Sequence, residues 1–238
     1  EKPLYYGWQK GVFLFGSELK ALKVHPAFEG VIDRDALTLL LRYSCIPAPY
    51  SIYKGIKKLQ PGRFLKLSVG VDKIAKGVFP EEKPFWSLED VIRDGVENPF
   101  IGSDLDAVET LHHLLRDSVQ QQMVADVPLG AFLSGGVDSS VIAALMQEKN
   151  PGKVKTFSIG FNEVGYNEAV HAKSVAGHLG TEHTELYVTP EQAMDVIPRL
   201  PTLYDEPFSD SSQIPTFLVS EMAQQYVKVS LSGDAGDE

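Results

Sequence analysis

The chain has 238 residues, 43% of them hydrophobic, and a formal net charge of −10, enough apolar content to bury a core in one or two domains. The acidity argues against nucleic acid as a principal partner, because phosphate contacts need clustered Lys and Arg, and no apolar run approaches a membrane span. A single cysteine excludes an internal disulfide and fits a reducing cytoplasm.

No charged-then-apolar leader precedes the first pattern. Tyr5, Tyr6 and Trp8, then Val12, Phe13 and Phe15, about a Gln9-Lys10-Gly11 turn, predict a hairpin over Pro3 to Phe15. Alone it would expose several aromatics. Helices are expected near Ser17 to Val24 and Asp33 to Tyr43, with Ser17 and Asp33 as N-caps. Cys45, inside Tyr43-Ser44-Cys45-Ile46-Pro47, has no activating neighbour in the sequence and reads as a buried structural thiol. Residues 1–67 form the tail of an α+β domain in this reading. Residues 68–102, rich in Gly, Pro and charge, read as linker.

A second domain, 103–238, begins with a helix from Leu105 to Met123. An apolar strand, Val127 to Leu133, then runs into Ser134-Gly135-Gly136-Val137-Asp138-Ser139-Ser140 and an apolar helix through Met146. Further along, Val154 to Phe161 reads as a strand, Asn167 to Leu179 as a helix with one apolar face, and Thr184, Leu186 and Val188 as an alternating strand. Helical stretches at Glu191 to Leu200 and Gln213 to Tyr226 lead to a last strand, Val227 to Leu231. This βαβ repetition predicts a parallel sheet with right-handed crossovers and ligands beyond the carboxyl ends of its strands. His112, His113, His171, His178 and His183 show no metal-ligand spacing and read as surface or core histidines.

The Ser134–Ser140 loop is an anion cradle. Two adjacent glycines let a phosphate approach the backbone, the following helix presents unpaired N–H groups, and three serines add hydroxyl donors. An aspartate in such a loop needs a cation to offset it, so Asp138 reads as a magnesium ligand. Neither the G-x-x-x-x-G-K-[ST] spacing nor G-x-G-x-x-G is present. The loop resembles instead the PP-loop, SGG-x-DS, of the N-type ATP pyrophosphatases, which hold pyrophosphate as a leaving group. A second loop, Ser232-Gly233-Asp234-Ala235-Gly236-Asp237-Glu238, also leaves a strand. Its acids would repel one another unless a cation sits there. Both loops belong at one edge of the sheet.

SGGVDSS from Ser134, TFSIGF from Thr156 and LSGDAGDE from Leu231 together resemble the synthetase domain of the glutamine-dependent asparagine synthetases of the bacterial B type and related amidotransferases. Lys2-Pro3-Leu4-Tyr5-Tyr6, Phe15-Gly16-Ser17-Glu18-Leu19-Lys20-Ala21-Leu22 and Leu59-Gln60-Pro61-Gly62 resemble the end of that family's glutaminase domain. The resemblance implies an N-terminal-nucleophile α+β domain ahead of an α/β PP-loop domain, with the catalytic cysteine of glutamine hydrolysis upstream of Glu1. It implies ATP as substrate, Mg²⁺ as cofactor, a carboxylate acceptor (aspartate by default), ammonia from glutamine, and an acyl-adenylate whose formation releases pyrophosphate and whose aminolysis releases AMP. Implied nucleotide contacts are Leu133, Ile159, Ser232 and Gly233 at the adenosine, and Ser134, Gly135, Gly136, Asp138, Ser139 and Ser140 at the phosphates. Asp138 and Asp237 would be metal ligands and Asp234 the catalytic acid.

Most such synthetases carry Glu at position 234, and the shorter acid leaves the acceptor open; a β-lactam-forming ligase or another amidotransferase is the alternative. A nucleotide-binding regulatory module without turnover is the other rival, which the acids at 138 and 237 disfavour. A homodimer is left open. For Asp205 to Ser212, helix capping by Ser211 or Ser212 and a place near the nucleotide are both expected readings.

Overall fold

The computed structural model describes residues 2–67, 77–161 and 167–234. The chain divides into two units, Glu1–Phe100 with Pro198–Asp210, and Ile101–Ile197 with Ser211–Glu238.

In the first unit β1 (Tyr5–Gln9) and β2 (Val12–Gly16) form the expected hairpin. Its two turn residues, Lys10 and Gly11, take φ of 47° and 75°, the positive values that match a two-residue turn to the strands' right-handed twist. Then come α1 (Leu19–Lys23), α2 (Arg34–Tyr43), which Asp33 caps by accepting from the Asp35 N–H, and β3 (Ile56–Lys58), which completes an antiparallel sheet ordered β2-β1-β3. Tyr5, Leu14, Leu19, Leu22 and Ile56 close the core between this sheet and α1. Two further strands, β4 (Arg63–Leu65) and β5 (Glu82–Pro84), pair with each other, and α3 (Leu88–Glu97) follows with Ser87 as its cap. The segment read as linker thus carries a strand and a helix; Trp86 and Phe85 add turn contacts to Gly62.

The second unit opens with α4 (Asp104–Gln122), started by a reciprocal Ser103–Asp106 capping box that also holds the Asp106 carboxyl below its ordinary pKa. Next are β6 (Leu129–Phe132), α5 (Val137–Lys149), β7 (Lys155–Phe161), α6 (Ala169–Leu179), β8 (Glu182–Val188) and α7 (Pro190–Val196). A 3₁₀ turn, Ile197–Arg199, and α8 (Leu200–Leu203) then lead through the segment grouped with the first unit, before α9 (Gln213–Ala223) and β9 (Val229–Leu231) complete the second.

The four strands are parallel and ordered β8-β7-β6-β9. Their alternation sorts the core by face. Ala131 and Leu133 point to the α5 side with Leu145, Met146 and Ala143, whereas Phe132 and Phe157 meet Val219, Met222 and Ala223 of α9. This is the α/β architecture expected from the sequence. No helix among the described residues is long and apolar enough to cross a membrane.

Two details of the first unit differ from the sequence expectations. Ser17 does not cap α1; Asp205, far along the chain, accepts from the Leu19 N–H at 2.6 Å and the Lys20 N–H at 3.1 Å. Its negative charge at the helix start is the favoured sign. Cys45 is exposed, not buried, because it follows Ser44 at φ 60°, the left-handed residue that turns the chain out of α2.

Candidate active site

The strand order turns back at β6: β7 and β8 are laid down on one side of it, and the chain then returns to place β9 on the other. A reversal of this kind opens a crevice beyond the strands' carboxyl ends. A cavity of about 420 Å³ lies there, a size within the usual range for small-molecule sites.

Strand register explains which residues meet in it. Phe132 pairs with Phe157, the Leu133 N–H continues that ladder by donating to the Phe157 carbonyl at 2.8 Å, and Ala131 pairs with Leu231. Leu133 and Ser232, just past the ends of β6 and β9, and Ile159, within β7, therefore lie at nearly one level, and all three line the cavity. Phe132, Leu133, Phe157, Ile159 and Val219 make one part of the lining apolar; Ser134, Gly136, Asp138, Ser139, Ser232, Gly233 and Asp234 make the other polar. That division suits a ligand with an aromatic end and an anionic end.

The polar part is built around the start of α5. Gly136 is its N-cap and no side chain caps the helix, so the N–H groups of the first turn are left without intrahelical partners. By contrast α2, α3, α4 and α7 are capped by Asp33, Ser87, Ser103 and Thr189. The loop before α5 is held in shape from within: Ser134 N–H donates to Ser139 Oγ at 3.2 Å, the two hydroxyls share a 2.9 Å hydrogen bond, and Gly136 N–H donates to Ser134 Oγ at 3.2 Å. These bonds fix the amides before any ligand arrives.

Glycine is required at two points. Gly135 sits at φ 85°, and a Cβ there would lie 2.7 Å from the Ala172 nitrogen of α6. At Gly233 a Cβ would lie 2.6 Å from the Ser139 nitrogen and 2.7 Å from the Asp138 carbonyl carbon. The loop after β9 thus lies directly on the first turn of α5, and this contact brings Asp234 into the same cavity as Asp138.

Of the residues singled out in the sequence, Leu133, Ser134, Gly136, Asp138, Ser139, Ile159, Ser232, Gly233 and Asp234 line the cavity. Gly135 and Ser140 do not: the former is spent on the approach of α6, and the Ser140 hydroxyl donates to the Gly136 carbonyl at 2.6 Å. Asp237 lies outside the described residues. Phe132, Phe157, Ser158, Glu168, Pro215, Thr216 and Val219 were not anticipated. Glu168 was legible in principle as an acid following the strand next to the Ser134–Ser140 loop; the α9 residues carry no local signal.

No residue from 205 to 212 lines this cavity. Asp205, Glu206, Pro207 and Phe208 instead border a second one of about 370 Å³ in the first unit, with Tyr5, Cys45 and Lys58. Glu206 accepts from the Ile52 N–H at 2.7 Å and from the Tyr5 hydroxyl at 3.4 Å, and pairs with Lys58. Burial, and the charges of Glu206 and Asp205, push the Tyr5 phenol well above its ordinary pKa. Ser212 stands at the start of α9 without a side-chain capping bond.

Among the described residues no group of three His, Cys, Asp or Glu could hold a metal ion. Magnesium does not need one, since it keeps waters and phosphate oxygens and takes one or two carboxylates. Asp138, a hard oxygen donor in the first turn of α5 and in the cavity wall, fits that mode. Of the histidines, His183 on β8 is half-buried, bonded through Nδ1 to Thr156 Oγ1 at 2.9 Å and through Nε2 to Ser158 Oγ at 3.2 Å. Burial lowers its pKa, against the opposing pull of Glu185.

Comparison with known proteins bears on the whole chain. The asparagine synthase family model matches residues 110–238, and the glutamine amidotransferase domain model matches residues 1–79. A Methanocaldococcus jannaschii protein, provisionally named glutamine-hydrolysing asparagine synthetase 2, is 39% identical over all of this chain and 44% of its own length. Glutamine-hydrolysing asparagine synthetase 1 of Bacillus subtilis is 34% identical over all of this chain and 35% of its own length, and asparagine synthetase B of Escherichia coli is 30% identical over 67% of this chain and 32% of its own. The chain therefore spans less than half the length of these curated relatives. Since the asparagine synthase model alone accounts for more than half of its residues, the chain belongs to the asparagine synthase family.

Proposed function

We propose that this chain carries the nucleotide-binding core of a glutamine-dependent amide ligase that activates a carboxylate with ATP. The observation that carries the reading is the uncapped start of α5, enclosed by Gly135 and Gly233 at a topological switch point, in a family whose relatives are named asparagine synthetases. Adenine rests among Phe132, Leu133, Phe157 and Ile159, and the pyrophosphate lies on the Ser134–Ser139 loop. An oxygen of the acceptor carboxylate attacks the α-phosphorus, the bond to the bridging oxygen breaks, and pyrophosphate leaves with that electron pair. Preformed amides at the start of α5 stabilise the charge it gains. Ammonia derived from glutamine then adds to the acyl carbon and AMP departs, leaving an amide. Asp234, on the opposite flank of β6 from β7, takes up a proton as the C–N bond forms.

Asp138 and Asp237 would hold Mg²⁺ with phosphate oxygens, and the ion would supply neutralisation of the leaving group's charge. Aspartate is the acceptor under this reading, in the cytoplasm. A different carboxylate is the second reading, favoured by one observation: the acid at 234 is Asp, one methylene shorter than the Glu of most such synthetases.

The test is calorimetric titration of ATP into full-length wild-type protein and Asp138→Asn, with and without Mg²⁺. Wild type should bind more tightly with the metal, and the variant should lose that gain. Equal affinities in all four titrations would remove Asp138 from the site.

A further inference from the structure

Three carboxylates line the nucleotide cavity, Asp138, Asp234 and Glu168, and the ligation chemistry above uses only the first two. We propose that Glu168 recognises the ribose of ATP, accepting hydrogen bonds from its 2′- and 3′-hydroxyls; the assignment rests on the cavity being an ATP site.

Position separates Glu168 from the other acids. It follows β7, whereas Asp234 follows β9, and these strands flank β6 on opposite sides. Neighbouring strands are about 4.8 Å apart, so the two flanks are roughly 10 Å apart at the strand ends. Oxygens bound to one Mg²⁺ lie within about 4 Å of each other. Among the described residues no group of three acids could hold a metal ion, so Glu168 is not a third ligand beside Asp138 and Asp234.

A carboxylate beside a triphosphate repels it unless it faces hydrogen-bond donors, and the donors that ATP carries nearest its phosphates are the ribose hydroxyls. Glu168 stands where the ribose must pass. It is the N-cap of α6, and one turn later Ala172 N abuts Gly135 of the phosphate loop; Ile159, at the apolar adenine end, is on the strand that leads toward it. The Glu168 carbonyl accepts from the His171 and Ala172 N–H groups. Its carboxylate lines the cavity and has no hydrogen bond or ion pair among the described residues, and its two oxygens match the two donors of a vicinal diol. Elsewhere in parallel α/β sheets an acid placed after the strand adjacent to the phosphate-binding loop performs this role.

The experiment compares dissociation constants of Mg-ATP, 2′-deoxy-ATP and 3′-deoxy-ATP for full-length wild type, Glu168→Ala and Glu168→Gln. In wild type at least one deoxy analogue should bind roughly tenfold to a hundredfold more weakly, the range for a hydrogen bond to a charged partner. Glu168→Ala should lose about as much with ATP itself and should no longer distinguish the three nucleotides; Glu168→Gln, which keeps one acceptor, should fall between. Wild-type discrimination retained in Glu168→Ala overturns the assignment, as does an equal loss for all three nucleotides that leaves their ratios unchanged. Failure of wild type to bind ATP overturns the ATP reading itself, and this assignment with it.

Discussion

Glu206→Ala should cost the first unit about 3–5 kcal/mol, the usual penalty for stranding a buried charge by removing its partner. Glu206 is only 8% exposed and Lys58 only 16%. Besides that ion pair, one carboxylate oxygen accepts from the Ile52 N–H at 2.7 Å, and the other from the Tyr5 hydroxyl. Alanine would leave the ammonium with the Ile46 carbonyl as its remaining partner and would orphan the Ile52 amide. The amide alone accounts for about 1–3 kcal/mol, but the two losses share one side chain and do not add. Both tryptophans of the chain, Trp8 and Trp86, belong to this unit. Tryptophan fluorescence during urea unfolding therefore reports on it selectively. With a slope of about 1–3 kcal/mol per molar urea, the midpoint should fall by at least about 1 M. The double variant Lys58→Met/Glu206→Leu should recover much of the loss, since an apolar pair strands no charge. A loss under about 1 kcal/mol would place the pair with ordinary surface ion pairs and refute the reasoning.

Asp234→Asn in the full-length enzyme should retain ATP affinity within a few-fold but lose amide formation by about 10²-fold or more, the range for a proton-transfer group; unchanged amide synthesis would reduce Asp234 to a structural acid. His183 supplies a pH signature. Its pKa in the folded chain lies below the ordinary 6.5, so below that pH the unfolded chain binds a proton that the folded one refuses. Stability should therefore fall as pH drops through 6.5, by up to about 1.4 kcal/mol per pH unit until the folded-state pKa is reached. The slope difference between wild type and His183→Gln in chemical unfolding isolates this proton, and identical slopes would contradict it.

What was legible in the sequence is what local chemistry decides. Gln9-Lys10-Gly11 signals a hairpin turn, and the β-branched and aromatic run from Val154 to Phe161 signals a strand, which the structure forms over Lys155–Phe161. The two loops were placed at one sheet edge because each leaves the carboxyl end of a strand. What was missed depends on partners distant along the chain. Nothing near Leu19 announces that Asp205 will cap its helix in place of Ser17, and nothing in 198–210 shows that it packs against β1 and β3. Ser140, counted as a phosphate donor by its place in the motif, sits one residue too far into α5, where its hydroxyl is satisfied by the Gly136 carbonyl. Glu168 escaped because an isolated Glu between a loop and a helix looks like any surface acid until strand order shows which loop lies beside it.

The central claim is that the cavity holds ATP for attack at the α-phosphorus, and the direct measurement is the identity of the nucleotide products. Full-length protein turned over with ATP, Mg²⁺, aspartate and an ammonium salt should yield AMP and pyrophosphate in equal amounts. The loop has no lysine to reach a terminal phosphate and its donors cluster where a pyrophosphate leaving group would sit. ADP and inorganic phosphate in their place would contradict the account.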